Sequence, residues 1–384
     1  MFRFSLYKRK NFNIYLVLSV IALCVIGVLI LNSAMANDLD RDATIRKQIT
    51  GLAVGFTVML VVAFADYHFV LEFSPLIMLV NYLLLFLVLT PFGVSSHGAT
   101  RWLNLGIQIQ PSEFAKIFLI MFMAWFYGVN ERRINKPLVV FGGLLFYAIT
   151  AGLILAEPDL STTLVVTFIF LMILYSARLS YKWIFAAIVI LVPLCIGGYI
   201  FIMKNQDYLI NELHIYQISR VLSFIYPEQY QSTGGNVQQD NSVLAIASGQ
   251  LFGKGLNNTS FESVKNGNFL SEENSDFIFA VVGEELGFVG CIAIIALLAF
   301  VVLLCLRSAQ HAKDMSGRLL CVGVAAMFAF QSFTNIGVAI KLLPNTGLPL
   351  PFFSAGVSSL LSFFIAIGMV MNVCLQRGER KRDW

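Results

Sequence analysis

DFIFAVVGEELGFVGCIAIIALLAFVVLLC, residues 276–305, is an apolar stretch whose only charged residues are three acids near its beginning. A helix needs about 20 largely apolar residues to cross a bilayer, so this stretch is long enough to tilt or to begin outside the membrane. Acidic residues at membrane depth are costly and usually mark a site or a pathway. The stretch therefore predicts a membrane helix that carries chemistry at its start.

The rest of the chain has the same character. Of its 384 residues, 58% are hydrophobic and only 12% are charged, whereas a soluble domain carries about 25% charged residues. This composition excludes soluble enzymes and disordered scaffolds. The candidate spans are 12–31, 48–66, 74–92, 113–127, 138–156, 160–176, 183–202, 276–305, 318–338 and 354–375. We expect an all-α polytopic membrane protein of about ten transmembrane helices, with 1–384 forming a single transmembrane domain.

The distribution of basic residues orients these helices. Ten spans place both termini on one side, and that side carries 16 of the 26 Lys and Arg residues but only six of the 22 acidic residues. Cytoplasmic loops carry the excess of Lys and Arg, so both termini are predicted to be cytoplasmic. The scattered histidines and cysteines predict neither a metal site nor a disulfide.

The outer side holds the loops that carry unusual residues. They are the short turn 157–159, the loops 93–112 and 339–356, and the long stretch 203–275 between helices 7 and 8. Within the long loop, 208–226 has the pattern of an interfacial amphipathic helix, and Gly249, Gly253 and Gly255 permit close approach of the backbone to a ligand. The chemistry is therefore predicted to face outward.

Two pairs of residues stand out around the second outer loop. Glu113 and Lys116 are three apart and share one helix face, after a helix start at Pro111 in which Ser112 is expected to cap. They are either a self-neutralising pair or part of a site. Arg101 next to Trp102 is either an interface anchor or a phosphate-binding guanidinium beside an aromatic platform.

Further carboxylates lie at the outer membrane edge. Glu157 and Asp159 flank Pro158 at the end of the fifth span, where they could bind a cation, pair with Arg101 or Lys116, or accept a proton. Asp276 lies at a helix start with apolar residues behind it. Partial desolvation raises the pKa of a carboxylate and makes it a better base, although a helix-dipole partner is an alternative interpretation.

Six sequence blocks, taken in order, resemble the SEDS family (shape, elongation, division and sporulation), whose branches include RodA, FtsW and SpoVE. The blocks are GATRWLNLG, QPSEFAK, EPDLSTT, AIASG, DFIFAVVGEELGFVG and LPNTGLPLPFFSAGVSS. Asn335-Ile336-Gly337 and Asn345-Thr346-Gly347 are closer to the RodA or SpoVE type than to FtsW. The family's glycine-rich motifs are altered, for example to Ser248-Gly249-Gln250, and their effect on activity stays open.

The resemblance implies an inverting peptidoglycan glycosyltransferase that polymerises lipid II on the outer face of the bacterial cytoplasmic membrane. It implies a class B penicillin-binding protein as partner, together with other elongation or division proteins, and no nucleic acid. The essential aspartate of the family maps onto Asp276, which follows Ser275. The remaining family positions map onto Arg101, Trp102, Glu113, Lys116 and Asp159.

The chemistry leaves several points open. A divalent cation, Mg²⁺ or Mn²⁺, could neutralise the pyrophosphate leaving group, but the sequence contains no dedicated cage for a metal. A lipid II flippase or other transporter would explain broken helices and buried charges equally well. A scaffold for a penicillin-binding protein that has no catalytic activity is the third alternative. The sequence does not distinguish a role in elongation from one in division or sporulation.

Overall fold

The computed structural model describes residues 11–36, 38–96, 99–104, 106, 108–204, 222–226, 234–257 and 275–376. In chain order the first helices are α1 (Ile14–Ala34), α2 (Arg41–Phe64), α3 (Tyr67–Glu72) and α4 (Ser74–Val88). Then follow α5 (Pro111–Val129), α6 (Pro137–Ala156), α7 (Leu160–Ser176) and α8 (Tyr181–Lys204). The last four are α9 (Gly234–Ser248), α10 (Ile278–Gln310), α11 (Met315–Ala339) and α12 (Val357–Leu375).

Within the described residues, eight helices are long and apolar enough to cross a membrane: α1, α2, α5, α6, α8, α10, α11 and α12. Two shorter apolar helices, α4 and α7, lie at the predicted third and sixth spans. The polytopic membrane fold is thus confirmed. The count of ten crossings and the single domain stay predictions.

The second outer loop contains short strands, which the all-α prediction did not include. It folds into a small antiparallel sheet of β1 (Gly93–Ser96), β2 (Ala99–Asn104) and β3 (Gln108–Ile109), in the order β1-β2-β3. Gly93 pairs with Leu103, and Leu103 pairs with Ile109. The sheet brings Arg101 against the turn between α6 and α7.

The prediction for the large loop 203–275 is tested only in part. Residues 203–204, 222–226, 234–257 and 275 are described, and they include α9. Apart from 222–226, the predicted amphipathic helix at 208–226 lies outside the described residues. The turn after α9 packs on α10, with Gly253 against Gly287. The two backbones are so close that a Cβ on Gly287 would lie 2.3 Å from the backbone nitrogen of Gly253.

Gly287 breaks α10 near the outer end. Its φ of 68° and ψ of −167° are non-helical, so the first nine residues form a separate half-helix. This conformation is readily available only to glycine. The backbone amide of Phe288 bonds the carbonyl of Gln250, 2.9 Å away, which satisfies a group that the break would leave open.

The core centres on α5, α11 and α12, whose residues are mostly buried, and α2 packs against α12. A Cβ on Gly55 would lie 2.2 Å from the Phe364 ring, and one on Gly368 would lie 2.7 Å from the carbonyl oxygen of Met59. Small residues allow membrane helices to approach closely, and here glycines on both helices serve that purpose. The inner turn is closed by Asn372, whose amide donates to the carbonyl of Ala63 at 2.8 Å.

Candidate active site

A buried ion pair forms the base of the site at the start of α5. Lys116 Nζ lies 2.9 Å from both carboxylate oxygens of Glu113 and 3.0 Å from Oε1 of Gln331. Lys116 is 0% exposed and Glu113 is 2% exposed. The predicted pairing is confirmed, and all three ammonium hydrogens are used. Lys116 therefore has no hydrogen left for a ligand in this arrangement.

The helix start at Pro111 is confirmed, but the predicted cap is wrong. Gln110 is the N-cap residue of α5 and makes no capping bond through its side chain. Ser112 lies inside the first turn, and its Oγ instead accepts a hydrogen bond from the side-chain Nε2 of Gln110 at 3.2 Å. Because Pro111 has no N–H group, the first turn of α5 has one amide donor fewer to satisfy.

Asp276 lies in the turn before α10, two residues ahead of the first helical residue. The Asn335 amide donates to the carbonyl oxygen of Asp276 at 2.9 Å and to that of Leu348 at 2.7 Å. Ser354 Oγ donates to the carbonyl oxygen of Ser275. The Ser275–Asp276 backbone is thus held by α11 and by the proline-broken segment 344–354.

The carboxylate of Asp276 points toward Gly347. A Cβ on Gly347 would lie 3.2 Å from Asp276 Oδ2, and Gly347 has a φ of +74° that favours glycine. A side chain at this position would both strain the turn and press on the carboxylate. The glycine thus leaves room beside the proposed reacting group.

Gln331 and Asn335 were not predicted as site residues, yet they link the buried ion pair to the half-buried Asp276. They are four apart on α11 and so share one face. Gln331 accepts from Lys116 and donates to the carbonyl of Pro349 at 3.2 Å, while Asn335 holds Asp276. The sequence signal that could have identified them is a pair of side-chain amides at i and i+4 in a membrane helix. Polar groups are costly there and therefore often mark a site.

The turn between α6 and α7 brings together Arg101, Glu157 and Asp159. Arg101 donates to the carbonyl of Pro158. Asp159 caps α7, with Oδ1 accepting from Thr162 N at 3.0 Å and Oδ2 from Thr162 Oγ1 at 2.9 Å. Ser161 Oγ donates to the carbonyl of Thr346, which joins this turn to the segment beside Asp276.

Trp102 follows Arg101 directly on β2, at an irregularity of the sheet. Trp102 pairs with Val94, whereas Ser95 pairs with Thr100, so the register shifts here and Arg101 is the extra residue of a β-bulge. The alternation of side chains along a regular strand does not hold at such a bulge. A joint phosphate and aromatic platform of Arg101 and Trp102 stays a prediction.

Glu157 is the most unusual side chain of the turn. It is 0% exposed, and neither carboxylate oxygen has a hydrogen-bond partner among the described residues. Burial, and then the nearby Asp159, raise the pKa of Glu157 to about 8, against a lowering effect of Arg101. Glu157 therefore carries a proton at neutral pH in the resting protein.

Glu157→Gln is expected to reduce the pH dependence of stability. The folded parent keeps a proton on Glu157 that the unfolded chain releases above its ordinary pKa of 4.5. Its stability is therefore full below pH 4.5 and falls as pH rises toward about 8, whereas glutamine does not titrate. As the pH rises across this window, the unfolding temperature of the parent in detergent should fall relative to that of the variant. Parallel curves would contradict the assignment, and the exposed Glu131→Gln is the control.

The described residues contain no group of three or more His, Cys, Asp or Glu side chains placed to hold a metal ion. A Mg²⁺ ion bound mainly by substrate phosphates needs only one or two protein carboxylates. Glu157, with two oxygens that make no hydrogen bond to described residues, fits that requirement.

Comparisons with known proteins agree with the arrangement. The family model FTSW_RODA_SPOVE, described as cell cycle protein, matches residues 14–379. The chain is 33% identical to the probable peptidoglycan glycosyltransferase FtsW of Trichlorobacter lovleyi, over 96% of this chain and 94% of that protein. It is 32% identical to stage V sporulation protein E of Bacillus subtilis, over 95% of this chain and 98% of that one.

Two solved structures are similar across nearly the whole chain. The crystal structure of the rod shape determining protein RodA of Thermus thermophilus gives a TM-score of 0.67 at 26% identity, covering 97% of both chains. A chain from a peptidoglycan synthase complex, described for its structural coordination of polymerization and crosslinking, gives a TM-score of 0.75 at 26% identity. It covers 94% of this chain and 97% of that one. These matches do not separate the RodA type from the FtsW type.

Proposed function

The chain belongs to the FtsW, RodA and SpoVE family, and from that membership we propose that it polymerises lipid II with Asp276 as general base. It is a multi-pass protein of the cytoplasmic membrane and a peptidoglycan glycosyltransferase. The observation that best supports this base is the set of contacts that hold the Asp276 turn in place. Asn335 and Ser354 fix the backbone of its turn, and Gly347 leaves space at its carboxylate.

The reaction joins O4 of an acceptor GlcNAc to C1 of a donor MurNAc. The O4–C1 bond forms while the bond from C1 to the pyrophosphate oxygen breaks, and the proton of the 4-hydroxyl passes to the Asp276 carboxylate. Undecaprenyl pyrophosphate leaves with the bonding electron pair. An α-linked donor that gives a β-linked product in one displacement inverts C1, which requires a base on the hydroxyl side.

The leaving group requires positive charge on the opposite side. Arg101 is the cation that we assign to the pyrophosphate, because its guanidinium suits phosphate oxygens and is only partly buried. A divalent cation held by Glu157 would neutralise further negative charge there. Binding such a cation would displace the proton that Glu157 otherwise keeps.

Lys116 takes a supporting role in this proposal. Its ammonium is wholly buried and bonded to Glu113 and Gln331, so it acts on the reaction through Gln331 and the carbonyl of Pro349. Glu113 holds the ammonium in place. Both are positioning residues for the segment that lies beside Asp276.

We propose a class B penicillin-binding protein as the partner that crosslinks the product. An apolar groove of about 500 Å³ lies between α10 and α11 and supports this proposal. It is lined by large apolar side chains and by small residues such as Ala299, Ser332 and Gly337. Small residues let a second membrane helix approach closely, so a membrane helix of a partner would fit there.

The function is tested with the purified full-length protein and lipid II. Glycan strands should form in the presence of moenomycin, which silences polymerases of the other glycosyltransferase class. Adding the partner should increase the rate, and varying Mg²⁺ and Mn²⁺ tests the cation. Movement of lipid II across vesicles without glycan strands would contradict the proposal, as would a folded complex that forms no strands.

A further inference from the structure

A cavity of about 1050 Å³ lies at the end of the helix bundle opposite to Asp276. It opens where α7 and α10 end and α11 begins, beside the short 3-10 turn Glu131–Arg133. The 25 residues of α11 rise about 37 Å from this end to the other, so the cavity is separate from the active site. The distribution of basic residues places it at the cytoplasmic surface.

Three cations line this cavity: Arg178, Lys313 and Arg318. In the part of the chain that the structure describes, none of the three forms a salt bridge. The acidic residues on the wall are Glu131, which is exposed, and Asp314. The wall therefore carries one more cation than it has acids, and any neutralisation of Asp314 increases that excess.

Asp314 is fully engaged by groups outside the cavity. Its Oδ2 lies 3.2 Å from Nε2 of His68, and its Oδ1 accepts from Tyr67 at 2.6 Å and from the Gly317 amide at 3.0 Å. The hydrogen bond that His68 donates to Asp314 raises the pKa of His68, which favours the imidazolium. The other ring nitrogen of His68, Nδ1, lies 3.1 Å from Oδ1 of Asp66, so His68 is shared between two carboxylates. Even with Asp314 counted in full, the cations on the cavity wall outnumber the acids.

Arg178 occupies a position that normally favours glycine. α7 ends in a Schellman motif, in which the Arg178 amide bonds the carbonyl of Tyr175 at 3.2 Å and the Leu179 amide bonds that of Leu174 at 3.3 Å. Arg178 adopts the left-handed conformation that the motif requires, with φ of 61°. A glycine would fit without strain, so the arginine side chain is present despite a conformational cost.

We propose that this basic pocket, defined by Arg178, Lys313 and Arg318, binds the phosphodiester headgroup of an anionic phospholipid from the cytoplasmic leaflet. Apolar side chains, including Leu306 and Val322, form the rest of its wall. An acyl chain can therefore follow the helices while the phosphate stays among the cations. Basic pockets between membrane helices on the cytoplasmic side suit such headgroups.

The test counts lipids bound to the purified full-length protein by native mass spectrometry. The protein is held in nanodiscs of phosphatidylcholine with or without added phosphatidylglycerol. The parent should retain phosphatidylglycerol over phosphatidylcholine. Each neutralised cation should weaken that preference about fivefold, so Arg178→Gln, Lys313→Gln and Arg318→Gln together should weaken it about a hundredfold.

A matched control removes the same charge from the same face outside the cavity. Arg132→Gln, Arg133→Gln and Lys136→Gln combined should leave the preference within about twofold of the parent, since these side chains are exposed and do not line the cavity. Equal losses in both triple variants, or no loss in the first, would overturn the proposal. Glycerol 3-phosphate binding as tightly as the lipid would overturn the lipid assignment. None of these readouts depends on glycosyltransferase activity.

Discussion

Asp276→Asn is expected to abolish glycan-strand synthesis, with a rate loss of about a thousandfold or more. Asparagine keeps the size of the side chain and should leave the bonds to the Asp276 and Ser275 carbonyls intact, because both are made to the backbone. It cannot accept the proton of the 4-hydroxyl. A positioned general base contributes roughly 10²–10⁴-fold to a rate. Among the described residues, Asp276 is the one whose carboxylate lies within 4 Å of a Cβ built on Gly347. Polymerisation of lipid II by the purified variant measures the loss.

The variant must remain folded for this result to have meaning. Its unfolding temperature and its copurification with the partner should match the parent. Asp240→Asn is the control from the same outer side, since Asp240 lies on α9 in an exposed pair with Lys341 and should keep nearly full activity. Polymerisation by Asp276→Asn at a rate close to that of the parent would show that another group takes the proton.

The membrane helices were predictable because their signal is spread over many residues. Apolar runs of 15 to 33 residues leave few alternatives, and α1, α6 and α12 lie within a few residues of their predicted spans. The strands at 93–109 gave no such signal, because two to six residues are too few to establish a period. The break at Gly287 was also missed, since the apolar composition continues across it and a single glycine does not specify its own φ.

The candidate site could be proposed from the sequence where its residues are charged. Glu113, Lys116 and Asp276 are conspicuous in an apolar setting, and the structure brings their surroundings together. Gln331 and Asn335 were missed because an isolated amide is tolerated in a membrane helix and reveals its role only when its partners are known. Their partners, the carbonyls of residues 348–349, come soon after α11 in the sequence. They contact α11 only because the chain reverses direction after this helix.

Glu157 shows why a motif does not give a mechanism by itself. The sequence placed two carboxylates at one turn with several equivalent roles. In the structure the two carboxylates have different roles. Both oxygens of Asp159 accept hydrogen bonds from Thr162, whereas Glu157 is buried without a hydrogen bond to the described residues. Burial cannot be read from a three-residue turn, since it depends on the sheet and helices that close over it.

Lys116→Met is expected to destabilise the protein strongly, by about 3–5 kcal/mol. It leaves the Glu113 carboxylate buried at 2% exposure without its counter-charge, and that unpaired charge is the main cost. The variant should therefore unfold at a markedly lower temperature in detergent. Lys341→Met is the control, because its pair with Asp240 is largely exposed and such pairs contribute about 1 kcal/mol or less.

The double variant Glu113→Gln, Lys116→Met separates stability from function. Removing both charges removes the unpaired carboxylate, so the unfolding temperature should recover most of the loss caused by Lys116→Met alone. Polymerisation should stay at least about tenfold below the parent, since Gln331 no longer has the ammonium that fixes it against Pro349. A double variant as unstable as the single one would show that the two charges do not compensate each other. Full activity in a stable double variant would show that the pair serves folding alone, and the carbonyl of Pro349 would then need no support from α5 to keep the Asp276 turn in place.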